Sequence, residues 1–174
     1  MTSGNFLPAR PALILLSGYP GTGKTTFARR LAERLDFEHV ESDAIRRSLA
    51  RRPAYTSDES ARVFRIAENR AGRALASRRN ALLDATSLTS DDRRPFVRLA
   101  DQHDAALVIV RLTVPPEEAR RRLAAPRTGH SQADVGVFEL MQGRAGHIPQ
   151  SHLVVDTRFP LEPAIALVLR LVQK

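Results

Sequence analysis

The stretch that decides the expected fold is GYPGTGKT, residues 18–25. It fits the pattern G-x-x-x-x-G-K-[ST], in which glycines let the backbone curl so that successive N–H groups point at phosphate oxygens. A continuous apolar run, ALILLS at residues 12–17, precedes it, and a helical pattern over residues 23–35 follows. This order of strand, loop and helix predicts a phosphate-binding loop at the start of an α/β domain.

The parts of this loop have separate predicted contacts with a nucleotide. Lys24 is expected to reach the β- and γ-phosphates, and the Thr25 hydroxyl to ligate Mg²⁺. The positive end of the following helix adds attraction for the phosphates. ATP and Mg²⁺ are therefore the expected cofactors, and a glycine-rich turn that binds nothing is the alternative. The expected nucleotide-binding residues are Gly18, Tyr19, Pro20, Gly21, Thr22, Gly23, Lys24, Thr25 and Thr26.

Around the loop, short apolar runs alternate with longer amphipathic stretches, which is typical of βα units around a mostly parallel sheet. Further strands are predicted at residues 39–41, 81–85, 106–112 and 152–155. Further helices are predicted to start at residue 42 or 43 and to span 58–79, 90–103, 117–124 and 161–172. The second of these carries one apolar stripe, Val63, Ala67, Ala71 and Ala74. Residues 1–10 are expected to be a loose leader, and 127–132 a mobile segment between two helices.

Length and composition limit the class of protein. With 174 residues, 43% of them hydrophobic, the chain can bury one core but not two, so a single domain over residues 1–174 is expected. No apolar run approaches the roughly 18 residues of a membrane span, and no secretory signal is apparent, so a cytoplasmic location without membrane contact is expected. The absence of cysteine excludes disulfides, cysteine-bound zinc and thiol catalysis. The five histidines lack paired metal spacing and are expected in loops and at the surface.

The charge balance favours anionic partners. The formal net charge is +8, which suits nucleotides, phosphorylated metabolites or nucleic acid. Only Lys24 and Lys174 among the 27 basic residues are lysines, a skew that genomic base composition can produce without selection for nucleic-acid binding. Against that skew, a lysine inside the phosphate-binding loop is informative.

Polar residues that follow predicted strands are candidates for acceptor chemistry, because ligands of such sheets sit at the carboxyl ends of the strands. Asp43 can accept the proton of an attacking hydroxyl, or else serve as a helix N-cap. Arg46, one turn later, can bind an anionic group of the acceptor, or else be a solvated surface arginine. Asp84 can hold the Mg²⁺ shell or an acceptor hydroxyl, with a plain turn carboxylate as the alternative.

Arginines are concentrated near the predicted mobile segment. In the run from Arg120 to Arg122, helical geometry can aim only one or two side chains at the phosphates, and Arg127 follows on the other side of Pro126. Such arginines can neutralise charge on the transferring phosphoryl group when a lid closes, and a solvated basic face is the alternative. Residues 156–158 (DTR) are placed to contact the base, although a plain turn explains them equally well.

Taken together, these residues resemble the small P-loop kinases related to the 5′-kinase domain of phage polynucleotide kinase, a group often labelled "AAA family ATPase". The resemblance covers residues 12–157, through GYPGTGKTTFARRL, ESDAIRRSL, LDATSLTSDDRRPF and VPPEEARRRLAAPR with SQAD beyond it. It implies a nucleoside-kinase-like fold, with a five-stranded parallel sheet of order 2-3-1-4-5, helices on both faces and a helical lid at about residues 117–145.

The resemblance also implies roles for single residues. Asp43 falls on the family's general base and Arg46 on its acceptor-phosphate arginine. The remaining matches are the acceptor-site aspartate at Asp84, the arginine of the following helix at Arg93 and the lid arginines at Arg122 and Arg127. The sequence departs from the pattern at Ala44, Thr86 and Gln132, on the acceptor side. Related enzymes phosphorylate gluconate, adenylylsulfate, chloramphenicol and nucleic-acid ends, and fold alone does not choose among these acceptors.

The sequence therefore predicts an enzyme, a phosphotransferase that moves the ATP γ-phosphate to a hydroxyl of a small-molecule acceptor. Asp43 is the expected base, and Lys24, Arg122 and Arg127 are the expected charge stabilisers. A 5′-hydroxyl polynucleotide kinase is the alternative that Arg46 and the net charge favour, although the sequence has no basic, aromatic strip for stacking bases. From another class, a nucleotide-switch ATPase or a nucleotide-binding module without transfer stays open.

Overall fold

The sheet places the first strand of the chain at its centre. The computed structural model describes residues 10–49, 56–125 and 135–173. In these residues all strand pairs are parallel and the strand order is β2-β3-β1-β4-β5, which confirms the predicted fold class and order. The strands are β1 (Ala12–Ser17), β2 (Glu38–Glu41), β3 (Ala81–Asp84), β4 (Ala106–Thr113) and β5 (His152–Asp156).

Threonine caps and a residue with a positive φ angle set some of the helix ends. Thr56 and Thr89 cap two of them by accepting bonds from the N–H groups of Glu59 and Asp92. The long helix ends three residues before its predicted end, because Arg78 turns to a positive φ of 57°. No helix in the described part of the chain is long and apolar enough to cross a membrane. The helices are α1 (Lys24–Ala32), α2 (Ser42–Leu49), α3 (Ser57–Ala76), α4 (Ser90–Gln102), α5 (Pro116–Ala124), α6 (Val135–Met141) and α7 (Glu162–Val172).

The two faces of β1 serve two separate apolar cores. Leu13 and Leu15 pack with α2, α3 and α4 on one face of the sheet. Ile14 and Leu16 pack with α1 and α7 on the other face. Every residue of β1 is buried, as expected for a central strand that is covered on both sides. The predicted stripe of α3 is buried in the first core.

A third, smaller cluster joins α5 and α6 to the loop that follows β1. Ala119, Leu123 and Phe138 form it, and the Tyr19 ring packs edge-on against Phe138 with 5.9 Å between ring centroids. The Tyr19 hydroxyl accepts a hydrogen bond of 3.2 Å from the backbone N–H of Ala145. Both helices that flank the predicted mobile segment are thus packed on this loop, whereas residues 127–132 themselves, and residues 1–9 of the expected leader, lie outside the described residues.

Candidate functional site

The loop between β1 and α1 has the backbone conformation that its glycines permit. Gly21 and Gly23 have φ angles of 81° and 87°, a left-handed region that strains residues with a side chain. A Cβ atom at Gly21 would also lie 2.9 Å from the Ala119 carbonyl oxygen. The Gly18 N–H donates to the Thr86 carbonyl oxygen at 2.9 Å, which ties the loop to the neighbouring β3 strand end.

Lys24 lies at the start of α1, with its ammonium group inside the curl of the loop. Its Nζ atom donates to the carbonyl oxygens of Gly18 and Tyr19 at 3.0 Å each. Burial lowers the pKa of Lys24, and the negative charges of Asp84 and Asp43 partly oppose this shift. The two carboxylates predicted on the acceptor side therefore lie within electrostatic reach of the lysine.

A cavity of about 840 Å³ adjoins the loop. Its walls come from the loop and α1, from the ends of β2 and β3, and from α2, α3 and the segment that joins β3 to α4. The first turn of α4, the helices α5 and α6, and the residues that follow α6 and β5 complete them. Gly18, Tyr19 and Thr22 support the loop without lining the cavity, and Arg127 lies outside the described residues. The expected site residues that line the cavity are Pro20, Gly21, Gly23, Lys24, Thr25, Thr26, Asp43, Arg46, Asp84 and Arg122.

Asp84 ends β3 as a buried carboxylate at the cavity wall, with 4% of the residue exposed. Its Oδ2 atom accepts no hydrogen bond within the described residues and lies 3.4 Å from Nε2 of His39. The carboxylate raises the pKa of this histidine. His39 lies half-buried on β2, in agreement with the strand predicted at residues 39–41 but not with the loop or surface position expected for the histidines. An unsatisfied carboxylate oxygen and the Thr25 hydroxyl in one cavity fit a Mg²⁺ ion, which prefers oxygen ligands. No cluster of three ligating side chains occurs in the described chain, so such an ion would also need ligands from the nucleotide.

Arg46 lies on α2 with its charge already paired. Its guanidinium is 2.6 Å from Oε1 of Glu59, and it donates to the Ser60 hydroxyl at 3.3 Å. The Arg46 and Glu59 side chains are only 8% and 15% exposed. No motif of the sequence indicates this partner, although the Thr56 cap places Glu59 in the first turn of α3.

Arg93 was expected among the acceptor contacts, but the structure places it elsewhere. It is 2% exposed and does not line the cavity. Its guanidinium donates to the carbonyl oxygens of Ser87 and Leu88 at 2.8 Å each, and to that of His147 at 2.7 Å. Arg93 therefore clamps the segment after β3 to the segment after α6, because buried carbonyl groups require a donor.

Replacing Arg93 with alanine is expected to lower the free energy of unfolding by about 3–4 kcal/mol, since three carbonyl groups, two of them in buried hydrogen bonds, lose their donor. The matched control is Arg94→Ala, whose side chain is 63% exposed and pairs with Asp91. This exposed pair is expected to contribute at most about 0.5 kcal/mol. Urea denaturation of both variants measures the difference, and similar small losses would contradict a clamping role for Arg93.

Of the run Arg120–Arg122, only Arg122 lines the cavity within the described chain. It donates to the Thr157 hydroxyl at 2.8 Å, and that hydroxyl donates to the Thr22 carbonyl oxygen at 2.9 Å. Glu118, 2.6 Å from Arg122, completes the chain of contacts. Thr157 lies in the segment that was considered for base contact, and its two neighbours pair with each other.

Several cavity-lining residues were missed by the sequence analysis. Ser57, Ser60 and Phe64 come from α3, and Met141 and Arg144 from the end of α6. They belong to no motif, and only the tertiary packing of α3 and α6 brings them to the cavity. The acceptor side of the cavity is thus richer in side chains than the sequence indicated.

Comparisons with known proteins support the same assignment of fold. A family model described as an AAA domain matches residues 13–148. An uncharacterized protein of Mycobacterium tuberculosis is 27% identical over 165 residues, which cover 88% of this chain and 33% of that protein. The chain therefore spans about a third of the length of the curated relatives that it matches.

Solved structures share the architecture at low sequence identity. A proposed kinase from Chloroflexus aurantiacus has a TM-score of 0.75 and 21% identity, covering 94% of this chain and 99% of that chain. APS kinase of Mycobacterium tuberculosis, in complex with AMPPNP and APS, has a TM-score of 0.70 and 17% identity, covering 96% of this chain and 100% of that chain. These likenesses confirm the fold of P-loop kinases.

Proposed function

We propose, since the chain belongs to the AAA domain family matched over residues 13–148, that it is an enzyme that transfers the γ-phosphate of ATP to a hydroxyl of a small-molecule acceptor. The observation that carries the proposal is the placement of Lys24 and Asp43 in the wall of one cavity. A cation for the phosphates and a carboxylate for the attacking hydroxyl are what such a transfer requires.

In the proposed reaction the phosphates of ATP lie against the backbone N–H groups of residues 18–25. Lys24 holds the β- and γ-phosphates, and Arg122 adds positive charge from α5. Asp43 accepts the proton of the acceptor hydroxyl as its oxygen attacks the γ-phosphorus and the bond to the β-phosphate oxygen breaks. The products are ADP and the phosphorylated acceptor. We keep Arg127 as the proposed second lid arginine.

Mg²⁺ is part of the proposal, and Thr25 and Asp84 are the residues proposed to hold it. Held by these residues, the ion would neutralise negative charge that develops on the phosphates during transfer. The Thr25 hydroxyl and the Asp84 carboxylate line the same cavity, and the latter has an oxygen without a hydrogen-bond donor in the described chain. Both residues would at the same time orient the phosphate chain toward Asp43.

Two alternative functions are less well supported by the residues of the site. For a polynucleotide kinase, the net charge of +8 is favourable, but Arg46 is paired with Glu59. For a nucleotide-switch ATPase, a strand that ends in paired Asp-Glu would be a supporting feature, whereas here Asp84 is followed by Ala85. A small-molecule acceptor therefore has the stronger support.

Transfer of label from γ-labelled ATP in the presence of Mg²⁺ tests the proposed function. The acceptors offered are a deproteinised metabolite extract and, separately, DNA and RNA oligonucleotides with 5′-hydroxyl ends. We expect label on a small molecule and none on the oligonucleotides. Label on an oligonucleotide end would replace the proposal with a polynucleotide kinase, and release of labelled phosphate alone, unchanged by any acceptor, would indicate an ATPase.

A further inference from the structure

The geometry points to an acceptor that carries no phosphate group, namely an uncharged or amine-bearing polyhydroxyl compound such as a sugar or amino sugar. This inference rests on the proposed function and concerns the acceptor wall, defined as the cavity-lining residues within 41–46, 57–64 and 84–92. Three properties of this wall carry it. They are the pairing of its arginine, the excess of carboxylates, and the mixture of hydroxyl and apolar groups.

The arginine of the acceptor wall is already neutralised. The guanidinium of Arg46 and the carboxylate of Glu59 are 2.6 Å apart, and both side chains are largely removed from water. A phosphate on the acceptor would have to approach Arg46 beside this carboxylate. If Arg46 turned to the phosphate instead, the Glu59 carboxylate would lose this ion pair, which is costly for a charge that is largely removed from water. The pair therefore disfavours an acceptor with a phosphate.

Carboxylates outnumber cations on the described acceptor wall. Glu41, Asp43, Asp84 and Asp92 line it, against Arg46 alone. Outside this wall, four cations among the described residues line the rest of the cavity: Lys24 and Arg29 of α1, Arg122 of α5, and Arg144 in the segment after α6. If Asp84 binds the metal ion, the other three carboxylates of the wall still repel an anion and attract an amine. This local charge is opposite in sign to the net charge of the whole chain.

Hydroxyl and apolar groups lie side by side on the same wall. Ser57 and Ser60 present hydroxyls that can exchange hydrogen bonds with an acceptor, and Phe64 presents a ring. Met141 closes the cavity from α6. Sugar rings carry hydroxyls on their edges and C–H groups on their faces, so they match this mixture better than an extended phosphodiester does. The acceptor class follows from these groups together with the charge.

The test compares acceptors that differ only by a phosphate remote from the reacting hydroxyl. The probes are thymidine with thymidine 3′-monophosphate, and glucosamine with glucosamine 1-phosphate. Binding to the protein saturated with Mg²⁺ and AMPPNP is measured by calorimetry, and transfer from γ-labelled ATP is measured in parallel. For wild type we expect the member without phosphate to bind at least as well in each pair. Binding of either phosphorylated member about tenfold more tightly would overturn the inference.

The variant Glu59→Gln releases Arg46 while keeping the shape of its partner. We expect it to strengthen binding of thymidine 3′-monophosphate about tenfold relative to thymidine, as one charge-assisted contact would. Glu59→Asp, which keeps the charge, should behave as wild type, and the double variant Arg46→Gln, Glu59→Gln should lose the gain. If Glu59→Gln does not bind thymidine 3′-monophosphate more tightly than wild type does, the inference is overturned, and this holds even if wild type binds neither thymidine nor its phosphate. Failure of the proposed function would be recognised by a different result, namely that no compound in the metabolite extract receives phosphate from ATP.

Discussion

Replacing Asp43 with asparagine is expected to slow phosphoryl transfer about 10²–10⁴-fold while leaving the affinity for ATP nearly unchanged. The amide cannot accept the proton of the attacking hydroxyl, so the loss falls on kcat. ATP affinity is retained because the loop of residues 18–25 and Lys24, which are proposed to hold the phosphates, are not altered. The kinetic constants for transfer and the Kd of ATP, measured on the same preparation, separate the two effects.

The same substitution distinguishes a general base from a helix cap. Asp43 lies in the first turn of α2, where a carboxylate also stabilises the helix. Asparagine keeps the shape of the side chain but loses the charge near the helix start, so the free energy of unfolding should fall by no more than about 1 kcal/mol. The matched control is Asp91→Asn in the first turn of α4, which is exposed and away from the cavity, and it should transfer phosphate like wild type. Undiminished transfer by Asp43→Asn would remove Asp43 from the proposed mechanism.

Replacing Lys24 with methionine is expected to lower kcat about 10²–10³-fold and to weaken ATP binding as well. The ammonium group is the cation inside the curl of the loop, and no neutral side chain of similar length can offset charge on the γ-phosphate. Arg30→Met is the matched control, because Arg30 is also on α1 but is exposed and does not line the cavity. Equal losses in the two variants would show that a general loss of positive charge explains the effect.

Stability separates the role of Lys24 in the site from a role in folding. Burial lowers the pKa of Lys24, so its charged form is less favourable in the folded chain than in water. Removing this charge should leave the free energy of unfolding at neutral pH unchanged or raise it. The sign also predicts that the folded protein gains relative stability as pH rises toward the ordinary pKa of lysine, a gain that Lys24→Met should lack. Urea denaturation of both proteins across that alkaline range measures the difference.

What the sequence could predict depended on contacts that are local in the chain. The buried run of β1, the glycines of the loop and the apolar stripe of α3 each follow from periodicity or backbone conformation within one element. The strand order came from the family resemblance and is confirmed. These features required no knowledge of which side chains meet across the fold.

The partners of the arginines could not be predicted in this way. Arg46 meets Glu59 from another helix, and Arg93 meets the carbonyl group of His147, which is 54 positions away in the chain. The charge and the spacing of an arginine do not show whether its hydrogen-bond acceptors belong to a ligand or to the protein itself. A buried guanidinium needs acceptors in either case. The residues that α3 and α6 bring to the cavity were missed for the same reason. The acceptor side of the site is therefore where tertiary structure adds the most.

The central position of β1 also has a consequence for how the chain is made. Among the described strands β1 is synthesised first, and its two neighbours in the sheet begin only at Ala81 and Ala106. At about 5–20 residues per second, ribosomes complete this apolar strand roughly 3–13 s before the first of its partners begins to emerge. Throughout that interval a fully buried element of the finished protein is exposed in the nascent polypeptide. We therefore expect the yield of folded protein in cells to depend on chaperone supply and translation speed as well as on the stability of the folded state.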